Sequence, residues 1–170
     1  GKLITSKKEI RQAVAKFTSS CGEKLRREKT CARKLHVFIQ TNPHRPQDQQ
    51  YFQSINLEIP VATNLTTELM KYSMRGLDMI FQQGYNYQKA GVMVLELVSA
   101  NEIQLGLFDQ QCTKKNQTLM DSIDQVNKTY GKDVLRFGVQ DYGNNWKLKQ
   151  GKLSRAYTTR LDELPKVKAS

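Results

Sequence analysis

A chain of 170 residues with 38% hydrophobic and 25% charged side chains has a globular composition and the length to bury a core. No apolar run approaches the ~20 residues of a membrane span, and Cys21, Cys31 and Cys112 form no C-x-x-C pair, which argues against a disulfide framework, a zinc site and any compartment but a reducing one. The net charge of +11 is concentrated: residues 1–50 hold 12 Lys/Arg against 4 Asp/Glu, whereas residues 51–100 hold 3 against 4 and residues 101–170 hold 12 against 8. Such asymmetry favours a polyanion partner, since each neutralised phosphate releases counterions; a solvated basic face is the plainer alternative.

The chain opens on GKLITSKKEI, with neither Met nor a signal pattern, and reads as a piece entered mid-protein. Lys2 to Thr5 look like the tail of a strand. Ser6-Lys7-Lys8-Glu9 has the form of a capping box. Behind it Ile10, Val14, Phe17, Cys21 and Leu25 recur at helical spacing, which predicts an amphipathic helix over about 6–28 with Cys21 in the core. In 34-KLHVFIQT-41 the residues alternate as a strand. Leu35, Val37 and Ile39 suit a core; Lys34, His36, Phe38 and Gln40 suit a surface that meets something.

The loop 41-TNPHRPQDQQ-50 is irregular, a second strand runs over about 52–59, and a second helix over 64–84 buries Leu65, Leu69, Ser73, Leu77, Ile80 and Phe81, with Gly84 as its C′ residue. The run 91-GVMVLELV-98 is an apolar strand. The predicted class is α+β: a four-stranded, mainly antiparallel sheet with two helices on one face and the other face free. Residues 1–99 make this domain, 100–117 a polar linker, and 118–170 a small α/β C-terminal segment. In that segment Leu119, Met120, Ile123, Val126, Asn127 and Tyr130 mark a helix stopped by Gly131, and Trp146 reads as an anchor.

Catalytic chemistry has little support. His36 and His44 have no carboxylate cluster, no Gly-rich phosphate loop is present, and Asp162 and Glu163 are adjacent rather than convergent. Nucleic-acid binding has more. Lys2, Thr5, Lys7, Lys8, Lys34, His36, Gln40, Asn42 and Arg45 are phosphate-donor types on the sheet, the first helical turn and the adjoining loop. Phe38 suits base stacking and cross-strand packing equally. In the linker, Gln104-Leu105-Gly106-Leu107-Phe108 reads Q-L-x-L-F: as an extended peptide it offers pocket-filling side chains and an amide, and it suits packing on its own tail as well.

Position weighs on that choice. Q-L-x-L-F after a basic α/β module resembles the sliding-clamp-binding motif of bacterial DNA polymerases. The module itself resembles the little-finger domain of Y-family translesion DNA polymerases, and 23-EKLRRE-28, 34-KLHVFIQTNPHRP-46, 61-VATNLTTEL-69, 91-GVMVLEL-97, 119-LMDSIDQVNKTYG-131 and 153-LSRAYTTRLDELPKV-167 resemble the UmuC branch, which supplies the catalytic subunit of DNA polymerase V. Leu161 departs from that pattern, which has Trp there. The resemblance implies a little finger that grips template–primer duplex, with Gln104, Leu105, Leu107 and Phe108 on the clamp. It implies a tail that is a candidate dock for the UmuD′ dimer or the RecA filament. The nucleotidyltransferase carboxylates and their Mg2+ would lie upstream, with no cofactor in this piece, and the setting would be a bacterial cytoplasm at the nucleoid. A stand-alone RNA-binding module or a protein-interaction adaptor is the alternative.

Overall fold

The computed structural model describes residues 3–102 and 110–140, together with Arg155 and Leu164. The order is helix α1 (Lys7–Arg27), strands β1 (Thr30–Thr41) and β2 (Phe52–Thr63), helix α2 (Thr66–Ile80), strand β3 (Tyr87–Ser99) and helix α3 (Gln110–Tyr130). β1 lies between β2 and β3, and both pairings are antiparallel. Its alternation decides the layering. Leu35, Val37 and Ile39 are fully buried on the side covered by α1 and α2, each contributing about 1.5–3 kcal/mol through burial. Lys34, His36, Phe38 and Gln40 stand on the uncovered side.

The class is α+β, but the sheet has three strands where four were expected. The first segment contributes one antiparallel bridge between Ile4 and Tyr87, with N–H···O distances of 2.8 and 2.9 Å. α1 then begins at Lys7; Gly1 and Lys2, on the other side of the bridge, lie outside the described residues. Ser6 occupies the N-cap position as expected, yet its side chain makes no capping bond. The buried stripe of α1 is Ile10, Val14, Thr18 and Leu25; Phe17 and Cys21 are only half-buried. Burial still pushes the Cys21 thiol above its ordinary pKa, and that of Cys31 to about 11.

α2 ends earlier than expected. Its last residue is Ile80, whose carbonyl accepts from the Tyr51 hydroxyl at 2.7 Å, while the Tyr87 hydroxyl bonds to both N and O of Gln82. Gly84 instead serves the following turn, at φ +98°. β2 also runs beyond Ile59, through an irregular stretch around Pro60, to Thr63. At that same level alternation fails on the other strands. Ala32 is buried, Arg33 is exposed, and Glu96 takes a left-handed φ of +51°, a backbone state that costs a non-glycine residue about 1–2 kcal/mol.

α3 is joined to α1 through Asp124, buries Met120, and ends before Gly131, at φ +114°; its Asn127 side chain bonds the Leu135 backbone. The joint is Arg26, whose side chain is 6% exposed. Its Nε and Nη2 donate to the two Asp124 carboxylate oxygens at 2.6 and 2.8 Å, and Nη1 donates to the Asn64 carbonyl and the Thr66 hydroxyl. A Cβ at Gly22 would stand 2.5 Å from Thr66 Oγ1, so only glycine lets α1 approach there. Further on, Lys16 pairs with Asp133 at 2.6 Å, and Phe137 and Val139 pack against the core. No strand occurs among the described residues of this segment; Trp146 and Leu161 lie outside them.

Replacing Arg26 with Met removes the fork and leaves Asp124 and the Asn64 carbonyl without their donor. The expected result is a loss of about 3 kcal/mol in urea unfolding, with exchange protection disappearing first in α3.

Candidate nucleic-acid interface

Antiparallel register fixes what the uncovered sheet face presents. Lys34, His36, Phe38 and Gln40 of β1 lie opposite Glu58, Asn56, Ser54 and Phe52 of β2. On the other side they lie opposite Leu95, Met93, Gly91 and Lys89 of β3. Residues directly opposite share a face, so these twelve side-chain positions form one surface. Phe38 packs over Gly91 of β3: a Cβ there would collide with its ring. The packing reading of Phe38 therefore describes its resting position. His36 Nδ1 is 2.6 Å from Asn56 Oδ1, and its ring centroid is 6.1 Å from that of Phe38. Phe52, Met93 and Leu95 are exposed, at 59%, 47% and 38%, so the face is apolar at its margins.

Charge on this face is balanced. Lys34 Nζ lies 2.5 Å from Glu96 Oε1 and 3.6 Å from Glu58 Oε1. The Glu96 hydrogen bond, with the charges of both carboxylates, raises the Lys34 pKa above the usual lysine value. Lys89 is the other cation opposite β1 here, and it is exposed.

The remaining expected phosphate contacts are placed elsewhere. Thr5 is exposed just before α1. Lys7 and Lys8 belong to the helical layer. Lys7 bonds Asp78 at 2.9 Å and sits 5.5 Å from the Phe81 ring centroid; Arg11 joins the same carboxylate at 3.0 Å. Lys8 lines an open groove with Lys7, Arg11, Gln12, Gly138 and Val139. Asn42 and Arg45 belong to the β1–β2 loop, where the Asn42 side chain accepts from the His44 amide and Arg45 pairs with Asp48 at 2.8 Å. Gln50 organises that loop, donating to the carbonyls of Asn42, Arg45 and Asp48. Lys34, His36 and Gln40 thus share one surface that Lys7 and Lys8 do not. Lys2, Gln104, Leu105, Leu107 and Phe108 lie outside the described residues.

Among the described residues no group of three or more His, Cys, Asp or Glu side chains is gathered as a metal would need, and no helix is long and apolar enough to cross a membrane. Sequence reasoning missed Glu58, Glu96 and Lys89. Only the strand register brings them beside Lys34 and Gln40.

These features define a class: an α+β domain with helices on one face of an antiparallel sheet and, among the described residues, the other face open. Residues 1–107 match the model of the impB/mucB/samB family C-terminal domain, and residues 117–167 match DUF4113, a domain of unknown function. The chain belongs to the impB/mucB/samB family, the UmuC type of Y-family translesion polymerase, and corresponds to its C-terminal part. It is 33% identical to Protein UmuC of Salmonella typhimurium over 169 residues, covering 99% of this chain and 40% of that protein. Protein ImpB of Salmonella typhimurium is 31% identical over 166 residues, 97% of this chain and 39% of the relative. DNA polymerase IV of Clostridium acetobutylicum is 22% identical over 135 residues, 78% of this chain and 32% of the relative. The chain thus spans about two fifths of the length of the UmuC-type relatives.

The Lys7–Asp78–Arg11 cluster generates a pH prediction. Hydrogen bonding from Lys7, supported by Arg11, holds the Asp78 carboxyl below its ordinary pKa. A depressed carboxyl adds stability above its unfolded pKa and loses it as pH falls through the folded value. Chemical denaturation as a function of pH should therefore show wild-type stability falling below pH of about 4. Asp78→Asn is expected to be less stable at neutral pH and to have a flatter acid limb.

Proposed function

We propose that this chain is the DNA-gripping and clamp-tethering part of an error-prone translesion DNA polymerase acting in SOS damage tolerance. Nucleotidyl transfer and its Mg2+ belong, on this reading, to a catalytic part of the whole polymerase and not to these residues. The observation that carries the reading is the open sheet face in a chain of this family. Two helices cover one side only, and the other side presents Lys34, His36, Gln40 and Lys89 around a strip of apolar side chains. Lysine and backbone N–H groups position a duplex by its phosphates without reading its sequence. Sequence-independent grip suits an enzyme that must hold distorted, damaged template. Thr5, Asn42 and Arg45 extend the contact from the sheet ends, with Lys2 from the first segment. Lys7 and Lys8 contribute to the long-range field from the helical layer.

The tether is Gln104, Leu105, Leu107 and Phe108, received by hydrophobic pockets of a sliding clamp. A second attachment raises the local concentration of a weakly bound enzyme at the primer end without any new DNA contact. The tail beyond it is proposed as a dock for the UmuD′ dimer or the RecA filament, with the whole acting at the bacterial nucleoid in the cytoplasm.

Fluorescence anisotropy with a labelled primer–template duplex tests the grip. Binding should weaken steeply with salt, and Lys2→Ala or Lys34→Ala should each reduce the slope by about 0.9 for every phosphate that is no longer neutralised. An unchanged slope in both would remove those positions from the interface. Changing Gln104, Leu107 and Phe108 together to Ala should abolish capture by purified clamp while leaving the melting temperature in place. Retained capture refutes the tether, and a chain that no longer folds means that these side chains pack inside it.

A further inference from the structure

The charged level of the sheet carries an inference beyond the grip itself, though it rests on that reading. Lys34 is the lysine of the central strand on the uncovered face, and it is already occupied: Glu96 holds it at 2.5 Å and Glu58 approaches to 3.6 Å from the opposite strand. Glu96 reaches it from a left-handed backbone, φ +51°, inside a strand. Alternation puts Leu95 on the face with Lys34 and would put Glu96 on the covered side with Val94 and Val98; instead Leu95, Glu96 and Leu97 are all exposed. An L-residue held in a sparsely populated backbone state, at the point where all three strands lose regularity, indicates a conformation maintained for its consequence.

We propose that Glu96 is an attenuator of duplex binding: a carboxylate that competes with DNA phosphate for Lys34, assisted by Glu58. Both competitors are anions, and Lys34 donates to whichever is nearer. Duplex binding must therefore displace Glu96, and on release the carboxylate recaptures the ammonium. All three side chains keep solvent access, at 32% for Lys34, 52% for Glu96 and 82% for Glu58, so exchange needs no unfolding. The result is a grip that is weaker, and less salt-dependent, than the lysine alone would give. Glu96 acts through Lys34 and is a positioning residue, not itself a DNA contact.

The test is a double-mutant cycle on the full chain, read by anisotropy of a labelled primer–template duplex at several salt concentrations. Glu96→Gln keeps the side chain's shape and removes its charge. It should bind duplex about two- to five-fold more tightly at low salt, the range expected for releasing one exposed ion pair. Its salt slope should steepen by up to about 0.9, the value of one added phosphate contact. Glu96→Gly relieves the left-handed backbone while removing the same carboxylate, so it should tighten binding too even if the Gln variant folds poorly. Glu58→Gln should give a smaller gain. In a Lys34→Ala background the Glu96→Gln gain should vanish. An equal gain with and without Lys34 would show general charge repulsion and overturn the proposal, as would unchanged affinity in both Glu96 variants. If the wild-type chain binds no duplex even at low salt, the proposed function fails and the attenuator falls with it. Wild-type binding that is insensitive to Glu96 removes the attenuator alone.

Discussion

The register of β1 is the constraint on which the rest depends. It is the strand paired on both sides, and its side chains alternate between a sealed face and an open one. A slip of one residue would put Lys34, His36 and Gln40 under the helices and Leu35, Val37 and Ile39 in water. The buried set prevents this, since its transfer to water would forfeit several kcal/mol. Thus the residues that fix the fold and those proposed to meet a ligand are interleaved along one strand. The core specifies the surface, residue by residue.

Helix packing closes only one side of that arrangement. α1 and α2 run antiparallel, joined by the Thr18–Ser73 hydrogen bond in the buried seam and by the Lys7–Asp78–Arg11 cluster at one end. At the other end Gly22 admits Thr66, and Arg26 carries the contact outward to α3. Consequently the described link to α3 is made from the helical side, and Phe52, Met93 and Lys89 of the other sheet face stay exposed. Arg26 bonds the two parts of the chain that match separate family models, reaching Asn64 and Thr66 in one and Asp124 in the other.

Local patterns in the sequence disclosed much of this. Alternation in 34–41 gave both faces of β1, and helical spacing gave α1, the buried side of α2 and the glycine stop after α3. The failures were of a different kind. Among the described residues the first segment reaches the sheet only through the bridge of Ile4 to Tyr87, a partner 83 positions away that no local pattern shows. The end of α2 depended on Tyr51, a residue 29 positions from the carbonyl it caps. Charge on the candidate surface depends on pairs that no local pattern contains. Lys34 and Glu96 are 62 residues apart, and Arg26 and Asp124 are 98 apart. Counting cations along the chain cannot show which carboxylates the register will bring beside them.

That charge balance bears on how the proposed parts work together. A net +11 gives attraction at long range, whereas the ion pairs at Lys34, Lys7, Arg26 and Arg45 moderate it at contact. A polymerase held to DNA by unopposed lysines would also be held wherever duplex is undamaged, because phosphate contacts carry no sequence information. A moderated grip makes residence depend on the second attachment instead. On the proposed reading, the tether supplies the address and the sheet supplies alignment once there. The weakness of each contact taken singly is then what confines a low-fidelity enzyme to sites where both are satisfied together.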